Sequence, residues 1–148
     1  MFFYEQAIQK AAQTNNIEII FYLLSNQKEI NEQFFEGNTV VKQIAVPQSI
    51  KTFAANCFDG CSSLTHISIP SSVTSIGEYA FYGCSSLKKI SLPSSVTKIG
   101  VSTFYGCSSL SKISIPSSVT LIGKFAFRGC LLLNQIVIPS SVTNIGDY

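Results

Sequence analysis

Apolar positions along this chain follow two rhythms. In the first two dozen residues they recur at helical spacing, with Tyr4, Ala7, Ile8, Ala11 and Ala12 on one face of a helix over residues 3–13. Thr14-Asn15-Asn16 breaks that run and supplies an N-cap, and Ile17 to Ser25 reads as a second amphipathic helix. The two form a helical hairpin. Residues 26–37 are expected to hold a third short helix, with Ile30, Phe34 and Phe35 packing down and Gly37 ending it. From Val41 the rhythm changes to Leu-x-x-Ile-x-Ile, whose alternation is that of a short strand with one buried face.

The second rhythm is a repeat of 23 residues. Cys61, Cys84, Cys107 and Cys130 keep that period, as do Pro47, Pro70, Pro93, Pro116 and Pro139, and Gly77, Gly100, Gly123 and Gly146. One full unit reads Leu64-Thr-His-Ile67-Ser-Ile69-Pro70-Ser-Ser-Val73-Thr-Ser-Ile76-Gly77-Glu-Tyr-Ala80-Phe81-Tyr-Gly83-Cys84-Ser-Ser. Further units start at Leu87 and Leu110, a degenerate one at Val41, and a last one at Leu133 that reaches only Tyr148. Proline lacks an N–H and ends strand pairing. Ser-Ser-Val-Thr reads as a second extended segment, with Val73, Val96, Val119 and Val142 inward. The Ile-Gly corner is expected to need φ > 0 at Gly77 and its equivalents. Glu78 to Tyr82 is expected to form one helical turn that buries Ala80 and Phe81. A single such coil cannot bury its apolar side, whereas stacked coils can, with strands about 4.8 Å apart.

The pattern Leu-x-x-Ile-x-Ile-Pro-Ser-Ser-Val-Thr-x-Ile-Gly-x-x-Ala-Phe-x-Gly-Cys-Ser-Ser resembles the BspA-like (Treponema-type) leucine-rich repeats over residues 41–148. These are known from bacterial surface antigens and from parasitic protists. The resemblance implies an α/β leucine-rich-repeat solenoid of about four and a half coils, with a parallel sheet on one face. It also implies a surface-antigen or adhesin role, in which a protein or glycan is bound. Ala7-x-x-x-Ala11-Ala12-x-x-Asn-Asn-x-Glu18-Ile19-Ile20-x-x-Leu23-Leu24 is similar to the helix pair of an ankyrin repeat, without the Thr-Pro-Leu-His start. Residues 1–37 therefore read as a helical cap that shields the first coil, or as an ankyrin-type binding unit, and residues 38–148 as the repeats.

Charge separates the same two parts. Residues 1–37 carry two lysines and five glutamates, and residues 38–148 eight basic and three acidic residues. The net charge of +2 is too small to imply nucleic acid as a partner. Met1-Phe2-Phe3-Tyr4-Glu5-Gln6 lacks the basic n-region of a signal peptide, and no apolar run is long enough to span a membrane. The N-terminus thus points to the cytoplasm while the resemblance points to the cell surface. The last coil stops before its Ala-Phe-x-Gly-Cys, which points to a truncated product or to an end through which two copies associate.

Candidate chemistry is sparse. The repeated cysteines lie within disulfide reach of one another, but their place in an apolar pattern reads as a ladder of buried reduced thiols, with Cys57 another small buried residue. His66, the single histidine, has no partner set for acid–base or nucleophilic work. No metal site, cofactor or enzymatic activity is expected. The outward strand positions form two ladders, Gln43-His66-Lys89-Lys112-Gln135 and Ala45-Ser68-Ser91-Ser114-Val137. The candidate ligand-binding residues are Gln43, His66, Ser68, Lys89, Ser91, Lys112, Ser114 and Gln135. Lys89 and Lys112 read either as solubility lysines or as contacts for an acidic protein or glycan. A protein partner inside the cell is the alternative to surface adhesion.

Overall fold

The computed structural model describes residues 2–147, and Met1 and Tyr148, the outer ends of the N-terminal and last-coil readings, lie outside the described residues. Helix α1 covers Phe2–Gln13 and α2 covers Ile17–Leu24. The Asn16 side chain accepts a hydrogen bond from the Ile19 N–H at 3.0 Å, the N-cap that the Asn-Asn break supplies. Ile8, Ala11, Ala12, Ile20 and Leu24 are buried. Tyr4, expected on the buried face, is 42% exposed. The physical reason is length, since α2 has 8 residues against 12 in α1 and cannot cover its first turn.

The third helix, α3, is only Glu32–Phe35, and Ile30 belongs instead to a strand, β1 (Glu29–Ile30). β1 pairs in parallel with β3 (Thr52–Phe53), so coil geometry extends upstream of Val41. Phe35 and Gly37 stand 23 residues before Phe58 and Gly60, and Gly37 shares the positive φ of Gly60, at 68° and 70°.

Each coil contributes a three-residue strand after its leading Leu and a two-residue strand at its Ile. The first kind comprises β2 (Gln43–Ala45), β4 (His66–Ser68), β6 (Lys89–Ser91) and β8 (Lys112–Ser114). The second comprises β1, β3, β5 (Ser75–Ile76), β7 (Lys98–Ile99), β9 (Leu121–Ile122) and β10 (Asn144–Ile145). All pairing is parallel, and equivalent residues stand opposite one another. The strand face is not one unbroken sheet, because β2 pairs with β4, and β6 with β8, but β4 does not pair with β6. The second ladder breaks at the same seam, between β5 and β7.

Two local expectations are corrected. Pro-Ser-Ser-Val is a turn rather than an extended segment, with the N–H of Val73, Val96, Val119 and Val142 donating back to the proline carbonyl at 3.0–3.1 Å. Proline stands first in this turn and its carbonyl accepts the closing hydrogen bond, while the two serines take the central positions. Glu78 to Tyr82 is likewise a set of tight turns and not a helix. Alternate N–H groups bond forward to the next coil, as in Tyr79 N–H to Val101 O at 3.0 Å and Phe81 N–H to Thr103 O at 2.9 Å. A helix would have turned those donors inward.

Inside the coils runs a spine of stacked phenylalanines. Ring centroids of Phe35–Phe58, Phe58–Phe81, Phe81–Phe104 and Phe104–Phe127 are 5.2, 5.2, 5.5 and 5.6 Å apart. Beside it, the thiol of each repeated cysteine donates to a phenylalanine carbonyl of the preceding coil: Cys61 to Phe35 at 3.0 Å, and Cys84, Cys107 and Cys130 to Phe58, Phe81 and Phe104 at 3.1 Å.

The corner glycines do not adopt positive φ. That conformation falls on Gly60, Gly83, Gly106 and Gly129, and on Asn56, Tyr79, Ser102 and Phe125 near the corners. The corners need glycine because backbones approach there. A Cβ on Gly77 would lie 2.5 Å from Ala55 N, and one on Gly123 2.6 Å from Gly100 C and Val101 N. At Gly100 the nearest neighbours would be Glu78 Cγ at 3.2 Å and Thr103 Oγ1 at 3.3 Å. The looser corner lies at the seam where both ladders break. There Thr103, in place of Ala80 and Ala126, is buried and donates to Gly100 O at 3.0 Å.

These contacts predict an asymmetry between two corners that look alike in sequence. Gly123→Ala is expected to destabilise the fold by about 1–3 kcal/mol, because rigid backbone must move. Gly100→Ala is expected to cost less than about 1 kcal/mol, since a flexible side chain can yield and the unfolded chain loses freedom. Urea denaturation of both variants measures the difference, and equal losses would contradict the close-approach explanation.

Candidate ligand-binding face

The outward residues of the three-residue strands are held by the inward ones. Ile44, Ile67, Ile90 and Ile113 are buried between the coils, so the residues on either side must face solvent. Gln43, His66, Lys89 and Lys112 are exposed, as are Ser68, Ser91 and Ser114. The register sets Gln43 opposite His66, Lys89 opposite Lys112, and Ser91 opposite Ser114. A shallow depression of about 370 Å³ brings together His66, Ser68, Lys89, Ser91, Lys112 and Ser114 across the seam. Gln43 and Gln135 lie outside it. Gln135 is exposed, and residues 133–138 of the last coil form no strand.

The serines of this chain fall into two groups. The second serine of each Pro-Ser-Ser turn is half-buried and donates to a carbonyl of the preceding coil: Ser72 to Ile50 at 2.8 Å, Ser118 to Val96 and Ser141 to Val119 at 2.7 Å, and Ser95 to Val73. Those hydroxyls hold the stack together. Ser68, Ser91 and Ser114 make no such bond among the described residues, and their hydroxyls face solvent.

Two exposed lysines beside this face were not among the candidates. Lys42 and Lys88 precede β2 and β6 directly and are both exposed. The Lys88-Lys89 pair was the available signal, because a residue at the strand's entry can reach either face. No aromatic or large aliphatic side chain is exposed on the outward positions from Gln43 to Ser114.

Other surfaces are occupied by the fold itself. A trough of about 600 Å³ follows the corners, lined by Gly77, Gly100, Gly123 and Gly146 with Lys98 and Leu121. It exists because those corners carry no side chain. On the turns, Tyr82 and Tyr105 stack at 4.8 Å, with the Arg128 guanidinium 5.9 Å from the Tyr105 ring. The two rings are nearly parallel, at 7°.

The cysteines are all unpaired, and four of the five are fully buried. Burial pushes every thiol up: Cys61 to about 12, half-buried Cys130 to about 11, and Cys57, Cys84 and Cys107 upward for the same reason. Such thiols are poor nucleophiles and poor metal ligands. Among the described residues no group of His, Cys, Asp and Glu could hold a metal ion, and no helix is long and apolar enough to cross a membrane.

Residues 28–148 match the profile of the BspA type leucine rich repeat region in six copies. The structure is similar to the leucine rich repeat protein of T. pallidum, with 30% identity and a TM-score of 0.72 over 80% of this chain and 62% of that one. It is also similar to a leucine rich cell surface protein of Faecalibacterium prausnitzii, with 29% identity and a TM-score of 0.61 over 80% of this chain and 38% of that one. The pneumococcal vaccine antigen PcpA shares 26% identity at a TM-score of 0.54, over 72% of this chain and 35% of that one. This chain thus spans less than two thirds of the length of each. Among curated proteins none matches it.

The thiols make stability fall in alkali. A native-state pKa above the ordinary 9.0 means that the folded protein holds these protons more tightly than the unfolded chain. Their contribution is complete below about pH 9 and is lost as pH rises toward 11–12. The denaturation midpoint is therefore expected to drop above pH 9 in the parent and to drop less in a Cys61→Ala, Cys130→Ala variant. Identical pH profiles would show that burial of these thiols is not coupled to folding.

Proposed function

Because the chain belongs to the BspA-type leucine-rich repeat family, we propose that it is a non-enzymatic interaction module of the adhesin type that holds a protein or glycan on its strand face. A leucine-rich repeat fold is a protein-interaction scaffold, a rigid stack whose exposed strands present one side chain per coil at each position. The single observation that carries the reading is the segregation of charge. Lys42, Lys88, Lys89 and Lys112 lie on or beside the strand face, and between residues 60 and 146 the one carboxylate, Glu78, sits at a corner. A cationic field unbroken by carboxylates steers an anionic partner to that face. The surface location of the Faecalibacterium protein supports an adhesin over an internal scaffold.

Five unpaired thiols favour a second reading, an intracellular scaffold that holds a partner protein on the same face. The apolar face of the last coil offers a further contact. Leu131, Leu132, Val137 and Ile145 are exposed by 80, 58, 84 and 52% around an apolar hollow lined by Phe127, Leu133 and Ile136. That face suits association with a second copy. Sedimentation is expected to give a concentration-dependent dimer that Leu131→Lys with Val137→Lys abolishes. A monomer throughout the micromolar range would remove this part of the reading.

The strand-face reading is tested by charge reversal. Lys89→Glu with Lys112→Glu is expected to abolish binding to host-cell or matrix preparations while leaving the melting temperature within a few degrees, since exposed substitutions cost little. Undiminished binding by the folded variant would place the ligand elsewhere.

A further inference from the structure

Resting on the strand-face reading, we propose that the ligand is a linear, densely anionic polysaccharide, bearing sulfate or uronate groups, that lies along the solenoid axis across the strands. The first ground is the spacing of the cations. Lys89 stands opposite Lys112 in register, and His66 occupies the equivalent position one strand earlier. Paired strands are about 4.8 Å apart, so Lys89 and Lys112 present two ammonium groups one step apart along the axis, and His66 continues the row across the seam where β4 and β6 do not pair. A chain of pyranoses repeats on a comparable length, and one acidic group per sugar or disaccharide meets such a row in order.

The second ground is an unpaid repulsion. Two lysines directly opposite on paired strands destabilise the pair, and no carboxylate on the face relieves them. A bound polyanion supplies that missing countercharge.

The third ground is what the face lacks. Protein partners are gripped by aromatic and arginine anchors in desolvated pockets, and single-stranded nucleic acids by aromatic stacking. The outward positions from Gln43 to Ser114 expose no aromatic residue, and the exposed aromatics Phe3, Tyr4, Phe21, Tyr22 and Tyr79 lie on the cap and the turns. What the face offers is ammonium groups beside the unpartnered hydroxyls of Ser68, Ser91 and Ser114, in an open depression. That is a surface for a hydrated, charged, hydroxyl-rich chain.

The test uses the full chain and chondroitin sulfate, with neutral dextran and poly-glutamate as comparisons, titrated over a range of salt concentrations. Lys88→Gln, Lys89→Gln and Lys112→Gln together remove the cations of the depression and its rim. Lys98→Gln with Lys124→Gln removes charge from the corners. Chondroitin sulfate is expected to bind and dextran not to. The triple variant is expected to lose at least about tenfold in affinity and about two to three units of salt slope, roughly one per contact as in counterion release, while the corner variant changes little. The melting temperature of the triple variant is expected to hold or rise, because the Lys89–Lys112 repulsion is gone. If poly-glutamate binds as tightly as chondroitin sulfate and with the same lysine dependence, the glycan class is wrong and the strand face stands. Equal losses in both variants would mean diffuse attraction and overturn the proposal. Binding that survives in the triple variant sinks both the proposal and the strand-face reading. If the parent does not bind chondroitin sulfate at all, the proposal fails alone, and the cell and matrix experiment decides the face.

Discussion

The backbone of each coil is satisfied by its neighbour, and the rest of the structure follows from that. A coil of 23 residues with only five in strands cannot pair its own N–H and C=O groups. Some donors bond back to the preceding coil, as Thr74 N–H does to Lys51 O at 2.9 Å, and others bond forward to the next, as Gly106 N–H does to Arg128 O at 2.8 Å. Coils stacked in this way must superpose residue on residue. The same side chain then meets itself up the stack, so phenylalanine stacks on phenylalanine and each cysteine reaches the same carbonyl. Two left-handed residues per coil, one glycine and one not, are tolerated because the neighbour on each side fixes the turn.

This constraint divides the surface into positions that serve the stack and positions free to vary. The turn serines and the corner glycines belong to the first class. The outward strand positions belong to the second, because the ladder is satisfied whatever side chain points away from it. A ligand can be selected there at little cost to folding. Four of the ten cationic residues, Lys42, Lys88, Lys89 and Lys112, lie on or beside that face while most of the acidic residues sit on the cap and the turns, so a chain of small net charge offers a cationic face free of carboxylates.

The stack is uneven in two places. At its start, the coil geometry continues into α3 and β1, and the hairpin of α1 and α2 covers the end of the stack that would otherwise expose Val41 and Ile44. In the middle, neither ladder closes between the coils beginning at Leu64 and Leu87, although Phe81 and Phe104 remain stacked at 5.5 Å. The spine and turns carry the connection there, and the candidate depression straddles the opening.

The repeat period, the half-buried strands, the thiol ladder and the outward row of His66, Lys89 and Lys112 were legible in the sequence. Each depends on a local pattern that the stacking simply multiplies. The α2 cap was legible because Asn16 satisfies a donor three residues away. What only the tertiary structure decided are the features set by one coil's distance from the next. Gly77 and Gly123 look like residues chosen for φ and are residues chosen for the backbone that passes beside them. The early half-coil at Phe35 and Gly37 was hidden because its strand, Glu29–Ile30, carries no pattern of its own and exists only by pairing with Thr52–Phe53. The outward place of Ser68 was legible from strand alternation, whereas the bond that ties the Ser72 hydroxyl to Ile50 O was hidden, since it depends on a carbonyl of the preceding coil. A one-dimensional pattern specifies which face a residue takes, and the approach of the next coil specifies what that face can do.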